Sequence, residues 1–174
     1  LKKLQNLILE FKLQFSKKKQ EKNIVDFSDI EHFALEILLK EDDNNNLVKT
    51  DVAKRYQEKF VEIAIDEYQD SNLVQEYIMT AISNGKNLFM VGDVKQSIYK
   101  FRQAMPELFL SKYNTYKNTI TNNDDNLKIQ LFKNFRSREN ILDFTNLIFQ
   151  NIMSENLGDV NYNHEEYLNL GATD

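Results

Sequence analysis

Phe60-Val61-Glu62-Ile63-Ala64-Ile65-Asp66-Glu67 and, farther on, Asn87-Leu88-Phe89-Met90-Val91-Gly92-Asp93 decide how the chain is read. Each begins as a short, mainly apolar run that suits a largely buried strand, and each stops abruptly at carboxylates. Between them Leu73, Val74, Tyr77, Ile78, Ala81 and Ile82 recur at helical spacing. Ser71 or Asn72 would cap that helix, and Gly85 sits where a C′ residue would. Strand, helix, strand is a βαβ unit, whose strands should run parallel with a right-handed crossover. The expected fold class is therefore α/β, helix-rich, with parallel strands flanked by helices.

Working outward, Leu1, Leu4, Leu7, Ile8, Phe11 and Phe15 step by three and four along an amphipathic helix over 1–20. Ser28 with Glu31 has the form of a capping box, and Ile30, Phe33, Ala34, Ile37 and Leu38 make one face of the helix that follows. An acidic, asparagine-rich loop over 41–46 separates it from a short helix over 50–59 capped by Thr50. Downstream, a polar, aromatic-bearing stretch over 95–103 leads to Pro106, which can open a helix reaching to 117. The polar loop over 121–126 is the best candidate for a domain boundary, dividing the chain into 1–125 and 126–174. Residues 128–132 alternate like a strand, and Ser137 would cap a helix bearing Ile141, Leu142, Ile148 and Ile152. The tail over 155–174 has little periodicity.

With 174 residues, 41% of them hydrophobic and 28% charged, the chain can bury a core of one domain and a piece of a second. Only 4 Gly and 1 Pro argue against a β-sandwich. The absence of cysteine excludes a disulfide framework, a thiolate metal site and a cysteine nucleophile. No run approaches the roughly 18 apolar residues of a membrane span, so no membrane partner is expected. The balance of 22 Lys and Arg against 27 Asp and Glu leaves a net charge of −5. A chain that held nucleic acid by bulk charge would be basic, so contact with DNA has to be local, through a few placed Arg, Lys and aromatic residues. Lys17-Lys18-Lys19, the one basic run, reads as a solvated helix end. The chain starts at Leu1 in mid-helix pattern and is expected to be an internal piece of a longer protein.

Open α/β sheets bind ligands beyond the carboxyl ends of their strands. There Asp66 can hold Mg²⁺ and Glu67 can position or deprotonate a water. Taken alone, the same acids would serve as helix caps, Tyr99 and Phe101 as core aromatics, and Arg136 as a surface residue at a helix start. His32 and His164 are assigned no role.

Longer strings carry more. Ile65-Asp66-Glu67-Tyr68-Gln69-Asp70-Ser71-Asn72 resembles motif II, the Walker B segment, of superfamily 1 DNA helicases of the UvrD/Rep/PcrA type. Val91-Gly92-Asp93-Val94-Lys95-Gln96-Ser97-Ile98-Tyr99-Lys100-Phe101-Arg102 resembles motif III, and Leu131-Phe132-Lys133-Asn134-Phe135-Arg136-Ser137 resembles motif IV. The stretches over 26–38 and 158–172, and the form of motif III, are similar to the AddA branch of helicase–nuclease subunits.

The resemblance implies a partial RecA-like P-loop NTPase motor. Residues 1–125 would be the later part of a first RecA-like domain, and 126–174 the start of a second. It implies ATP and Mg²⁺ as cofactors. Its implied partners are single- and double-stranded DNA and an AddB-like protein, and the implied location is the bacterial cytoplasm. The implied activity is translocation on DNA and its unwinding during double-strand-break processing. By the same resemblance Asp66 contacts Mg²⁺, Glu67 activates the attacking water, and Gln96 senses the γ-phosphate. Arg136 reaches that phosphate as an arginine finger. Phe101 stacks on a base of single-stranded DNA, with Tyr99 and Arg102 beside it.

The chain departs from the pattern in lacking a Walker A loop. Its only Gly-Lys, Gly85-Lys86, precedes Asn87 and has no upstream glycine. Motifs V and VI and a nuclease domain are likewise missing. Two other classes fit part of the pattern. One is a Mg²⁺ nuclease built on Asp66, Glu67, Asp93 and Lys95, since Asp93-Val94-Lys95 imitates a D-x-K string. The other is a non-catalytic interaction module whose acids only cap helices. The isolated chain is expected not to hydrolyse ATP, and DNA-stimulated turnover by the purified chain would contradict this.

Overall fold

The computed structural model describes residues 2–119, 126–158 and 160–171. The chain forms α1 (Lys2–Glu21), α2 (Phe27–Leu38), β1 (Leu39–Glu41), β2 (Leu47–Lys49), α3 (Asp51–Lys59) and β3 (Ile63–Ile65). It continues through α4 (Leu73–Ile82), β4 (Leu88–Met90), α5 (Pro106–Thr115), β5 (Lys133–Asn134), α6 (Glu139–Ile152) and β6 (Asn169–Leu170). Single turns of 3-10 helix stand at Tyr68–Asp70, Val94–Gln96 and Lys100–Arg102. The result is a mixed α/β chain dominated by helices.

β3 pairs with β4 on either side of α4. Ile63 N–H donates to the Asn87 carbonyl at 2.8 Å and Val91 N–H to the Ile65 carbonyl at 2.8 Å. Both partners advance along the chain, so the strands are parallel, as the βαβ reading expects. β3 is shorter than the apolar run, because Phe60 N–H donates to the Tyr56 carbonyl and closes α3 instead. Gly85 is not the C′ residue of α4, which ends at Ile82. It stands in the following loop with φ +87°, where its N–H donates to Ser83 Oγ. Beyond the strand ends Tyr68 N–H donates to the Val91 carbonyl, which carries the turn after β3 against Gly92. A Cβ on Gly92 would lie 2.5 Å from Gln69 Oε1 and 3.1 Å from Phe109 Cε2, so only glycine admits this approach.

The chain divides into two units, Leu1–Ile63 with Val74–Leu88 and Ala64–Leu73 with Phe89–Asp174. In the first, Leu38, Ala53 and Ala81 form a buried cluster packed by Leu39, Ile78 and Ile82. α2 starts two residues before the anticipated box. Asp26 is its N-cap and Asp29 its N3 partner, each carboxylate accepting the other's backbone N–H at 2.9 Å. Lys19 bonds both acids, so it is an ion-pair residue and not a solvated one. Thr50 caps α3 as expected. The loop over 41–46 proves to be the turn of the antiparallel hairpin β1–β2, closed by Asp42 Oδ1 accepting from the N–H groups of Asn44 and Asn46. Buried Ser83 donates to Asn87 Oδ1, and Asn87 Nδ2 donates to the Phe60 carbonyl.

In the second unit Tyr68 and Leu142 are the largest fully buried apolar side chains. The Tyr68 ring packs on Phe109, whose ring stacks on Tyr113, both from α5. Pro106 takes the first turn of α5 as its fixed φ suits. The strand expected over 128–132 forms at Lys133–Asn134 instead, because the parallel partner available there is β6. A strand needs a neighbour to satisfy its N–H and C=O groups. Ser137 does not cap α6, whose N-cap is Arg138; Asn134 Oδ1 organises that turn by accepting from the N–H groups of Arg136 and Ser137. The proposed boundary between 125 and 126 lies at the edge of a stretch outside the described residues. No helix among the described residues is long and apolar enough to cross a membrane.

Gly92→Ala should destabilise the chain by about 1–3 kcal/mol, because the methyl group forces buried Gln69 off both its bonds. Urea unfolding of the two proteins measures the difference.

Candidate active site at the strand ends

The strand ends of β3 and β4 deliver Asp66, Glu67 and Asp93 to one edge, and the turn after β3 holds them there. Asp66 and Glu67 are exposed. Asp66 Oδ1 accepts from the Glu67 N–H at 2.9 Å. Glu67 has φ 50° and ψ 41°, a left-handed conformation uncommon for a residue with a Cβ. Strain of this kind persists only where the surroundings over-determine it, and it concentrates at functional sites.

What over-determines Glu67 is Gln69. Only 1% exposed, Gln69 donates from Nε2 to Glu67 Oε2 at 2.6 Å and accepts at Oε1 from the Asp93 N–H at 3.0 Å. One amide thus ties the residue after β3 to the residue after β4. Next to it, Asp70 has an Oδ1 buried without a partner among the described residues. Burial, and secondarily the Glu67 charge, push the Asp70 carboxyl above the usual carboxylate range.

Asp93 is a second junction. Its Oδ1 accepts from the Lys95 N–H at 3.1 Å and pairs with Lys95 Nζ at 3.0 Å, while Oδ2 accepts from Gln96 Nε2 at 3.2 Å. Lys95 Nζ also reaches Glu166 Oε2 at 2.8 Å. Burial alone would lower the Lys95 ammonium, but Glu166 and Asp93 outweigh it and hold it above the usual lysine range. Lys95 and Asp93 are therefore committed to each other and to neighbours, which is unlike the open D-x-K of a nuclease. Among the described residues no group of three or more His, Cys, Asp or Glu could cage a metal.

Tyr99, Phe101 and Arg102 stand together on the loop that follows. The two rings lie 6.0 Å apart, and the Arg102 guanidinium sits 5.3 Å from the Tyr99 ring and 5.6 Å from the Phe101 ring. Phe101 is 77% exposed, so it is no core aromatic. Arg136 is exposed on the turn after β5, and no contact among the described residues joins its guanidinium to the carboxylates. The structure thus brings together Asp66, Glu67, Asp93, Lys95 and Gln96, groups the aromatics separately, and leaves Arg136 apart. Sequence reasoning missed Gln69 and Glu166. Gln69 carried a signal, as an uncharged polar residue two positions beyond an acidic pair. Glu166, in an aperiodic tail, carried none.

Comparisons with known proteins identify the family. The model of the UvrD/REP helicase N-terminal domain matches residues 2–117. Bacterial proteins named as the A subunit of an ATP-dependent helicase/nuclease are similar over almost the whole chain. That of Clostridioides difficile (strain 630) is 55% identical over 99% of it, and that of Clostridium beijerinckii 54% over 99%. That of Thermoanaerobacter sp. (strain X514) is 54% identical over 97%. The chain spans 14% of the length of each of these relatives. Motif strings in order, carboxylates at the ends of adjacent parallel strands, and a family match over two thirds of its residues together show that this chain belongs to the UvrD/REP helicase N-terminal domain family.

Proposed function

We propose that this chain forms part of an ATP-driven DNA helicase motor, within a helicase–nuclease subunit. The observation that carries the reading is the Gln69 amide, which fixes an exposed carboxylate, Glu67, across the ends of two parallel strands. In this reading β3, α4 and β4 belong to a first RecA-like domain reaching to 125, and 126–174 opens a second.

The residues fit Mg²⁺·ATP. Magnesium takes one or two protein carboxylates together with phosphate and water oxygens, and Asp66 offers an exposed carboxylate of that kind. When bound, the ion and nucleotide supply the electrophilic phosphoryl group and neutralise its charge. Asp66 would hold the ion. Glu67, kept in place by Gln69, accepts a proton from the attacking water. Gln96, anchored on Asp93, would serve as the sensor of the γ-phosphate, and Arg136 would supply the cation that balances the charge growing there.

DNA contact falls to Phe101, with Tyr99 and Arg102. An exposed ring backed by a second ring and a guanidinium is a platform on which any base can stack, and it needs no basic field from the rest of an acidic chain. The whole protein would translocate on and unwind DNA during break repair in the bacterial cytoplasm, with a second protein as its partner.

Glu67→Gln in the full-length protein should keep ATP binding and lower turnover by roughly 10²–10⁴-fold, because an amide cannot take the proton. Near-normal turnover, measured beside nucleotide affinity, would contradict the assignment. Phe101→Ala should change the stability of the chain by less than about 1 kcal/mol yet weaken single-stranded DNA binding by about 1–3 kcal/mol. Urea unfolding and fluorescence anisotropy with labelled oligonucleotide measure the two.

A further inference from the structure

We propose that Glu166 is a positioning residue for ATP hydrolysis, acting through Lys95 and Asp93 to set the side-chain amide of Gln96; this rests on the reading of Gln96 as the phosphate sensor. Glu166 lies 71 residues from Lys95 in sequence, in a segment to which neither composition nor the helicase strings assign a role. Yet both its oxygens are taken. Oε2 accepts from Lys95 Nζ at 2.8 Å and Oε1 from the Tyr113 hydroxyl at 3.1 Å. Tyr113 is itself fixed. Its ring stacks on Phe109, Lys128 Nζ lies 4.0 Å above it, and Gln130 Nε2 donates to its hydroxyl. The glutamate side chain is 14% exposed and the lysine 21%, so this pair is shielded from the screening that makes surface ion pairs worth little.

The consequence runs inward. Lys95 Nζ stands between two carboxylates and shares its donors between them. That sharing keeps the ammonium on one oxygen of Asp93, Oδ1, and leaves Oδ2 to Gln96 Nε2. Without Glu166 the ammonium has Asp93 alone as counter-charge and moves to span both oxygens, displacing the glutamine amide. With Nε2 committed to Asp93, Gln96 keeps Oε1 and its second N–H for water and phosphate. A shift of that amide lowers the rate of the chemical step more than it lowers nucleotide affinity.

The test uses the full-length protein in complex with its partner, measuring DNA-stimulated ATP turnover and the melting midpoint. Glu166→Gln is expected to lower kcat roughly tenfold while the KM for ATP stays within about twofold. Tyr113→Phe removes one donor to Glu166 and keeps the ring, and should give a smaller loss of the same kind. In a Gln96→Ala background Glu166→Gln should cost nothing further, because the pathway to the nucleotide has been removed. The proposal is overturned if Glu166→Gln costs the same factor in both backgrounds, which marks a structural role. It is also overturned if a folded Tyr113→Phe protein and Glu166→Gln both keep normal kcat. If Gln96→Ala alone keeps normal turnover, the sensor reading fails, and this proposal with it.

Discussion

A single buried amide holds the site together. Gln69 must both donate and accept, and it does so to groups that belong to the ends of two different strands. A buried polar side chain costs free energy unless each of its groups is paired, so Gln69 is stable in one orientation only. That orientation dictates the left-handed turn at Glu67 and the absence of a side chain at residue 92. It also dictates where the backbone of Asp93 begins the 3-10 turn that carries Lys95 and Gln96. The packing of Tyr68 on Phe109, with Lys112 Nζ donating to the Tyr68 hydroxyl, braces the same turn.

Charge then acts locally. The chain as a whole is acidic, but its ammonium and guanidinium groups are placed where one contact matters. Lys19 joins the two capping acids of α2, Lys95 joins Asp93 to Glu166, and Arg102 lies over two exposed rings. Net charge therefore says little about what such a surface can hold. In the proposed reading, a ring flanked by one cation would hold a negatively charged polymer through stacking and short-range attraction.

How much of this the sequence disclosed depended on the range of the interaction. The helices over Lys2–Glu21 and Asp51–Lys59, the Thr50 cap and Pro106 at the start of α5 follow from local spacing and dihedral preference, and they were legible. The βαβ core was legible because two apolar runs flank a helical period. Boundaries decided by competition were not. Phe60 had strand character yet finishes a helix, and Ser28 offered a cap that Asp26, two residues earlier, supplies with Lys19 at hand. The hairpin over 39–49 escaped notice because its strands are three residues each, too short to show alternation. At the site, the acids and exposed aromatics were readable as residue types, whereas Gln69 and Glu166 are defined by partners met only after folding.

The most direct measurement is a double-mutant cycle on single-turnover ATP hydrolysis by the full-length protein, with Glu67→Gln, Gln69→Met and the pair. If Glu67 is the proton acceptor and Gln69 acts by holding it, Gln69→Met alone slows hydrolysis, and adding it to Glu67→Gln changes nothing more. Losses that multiply in the double variant would contradict the account, since Gln69 would then serve something other than the Glu67 carboxylate.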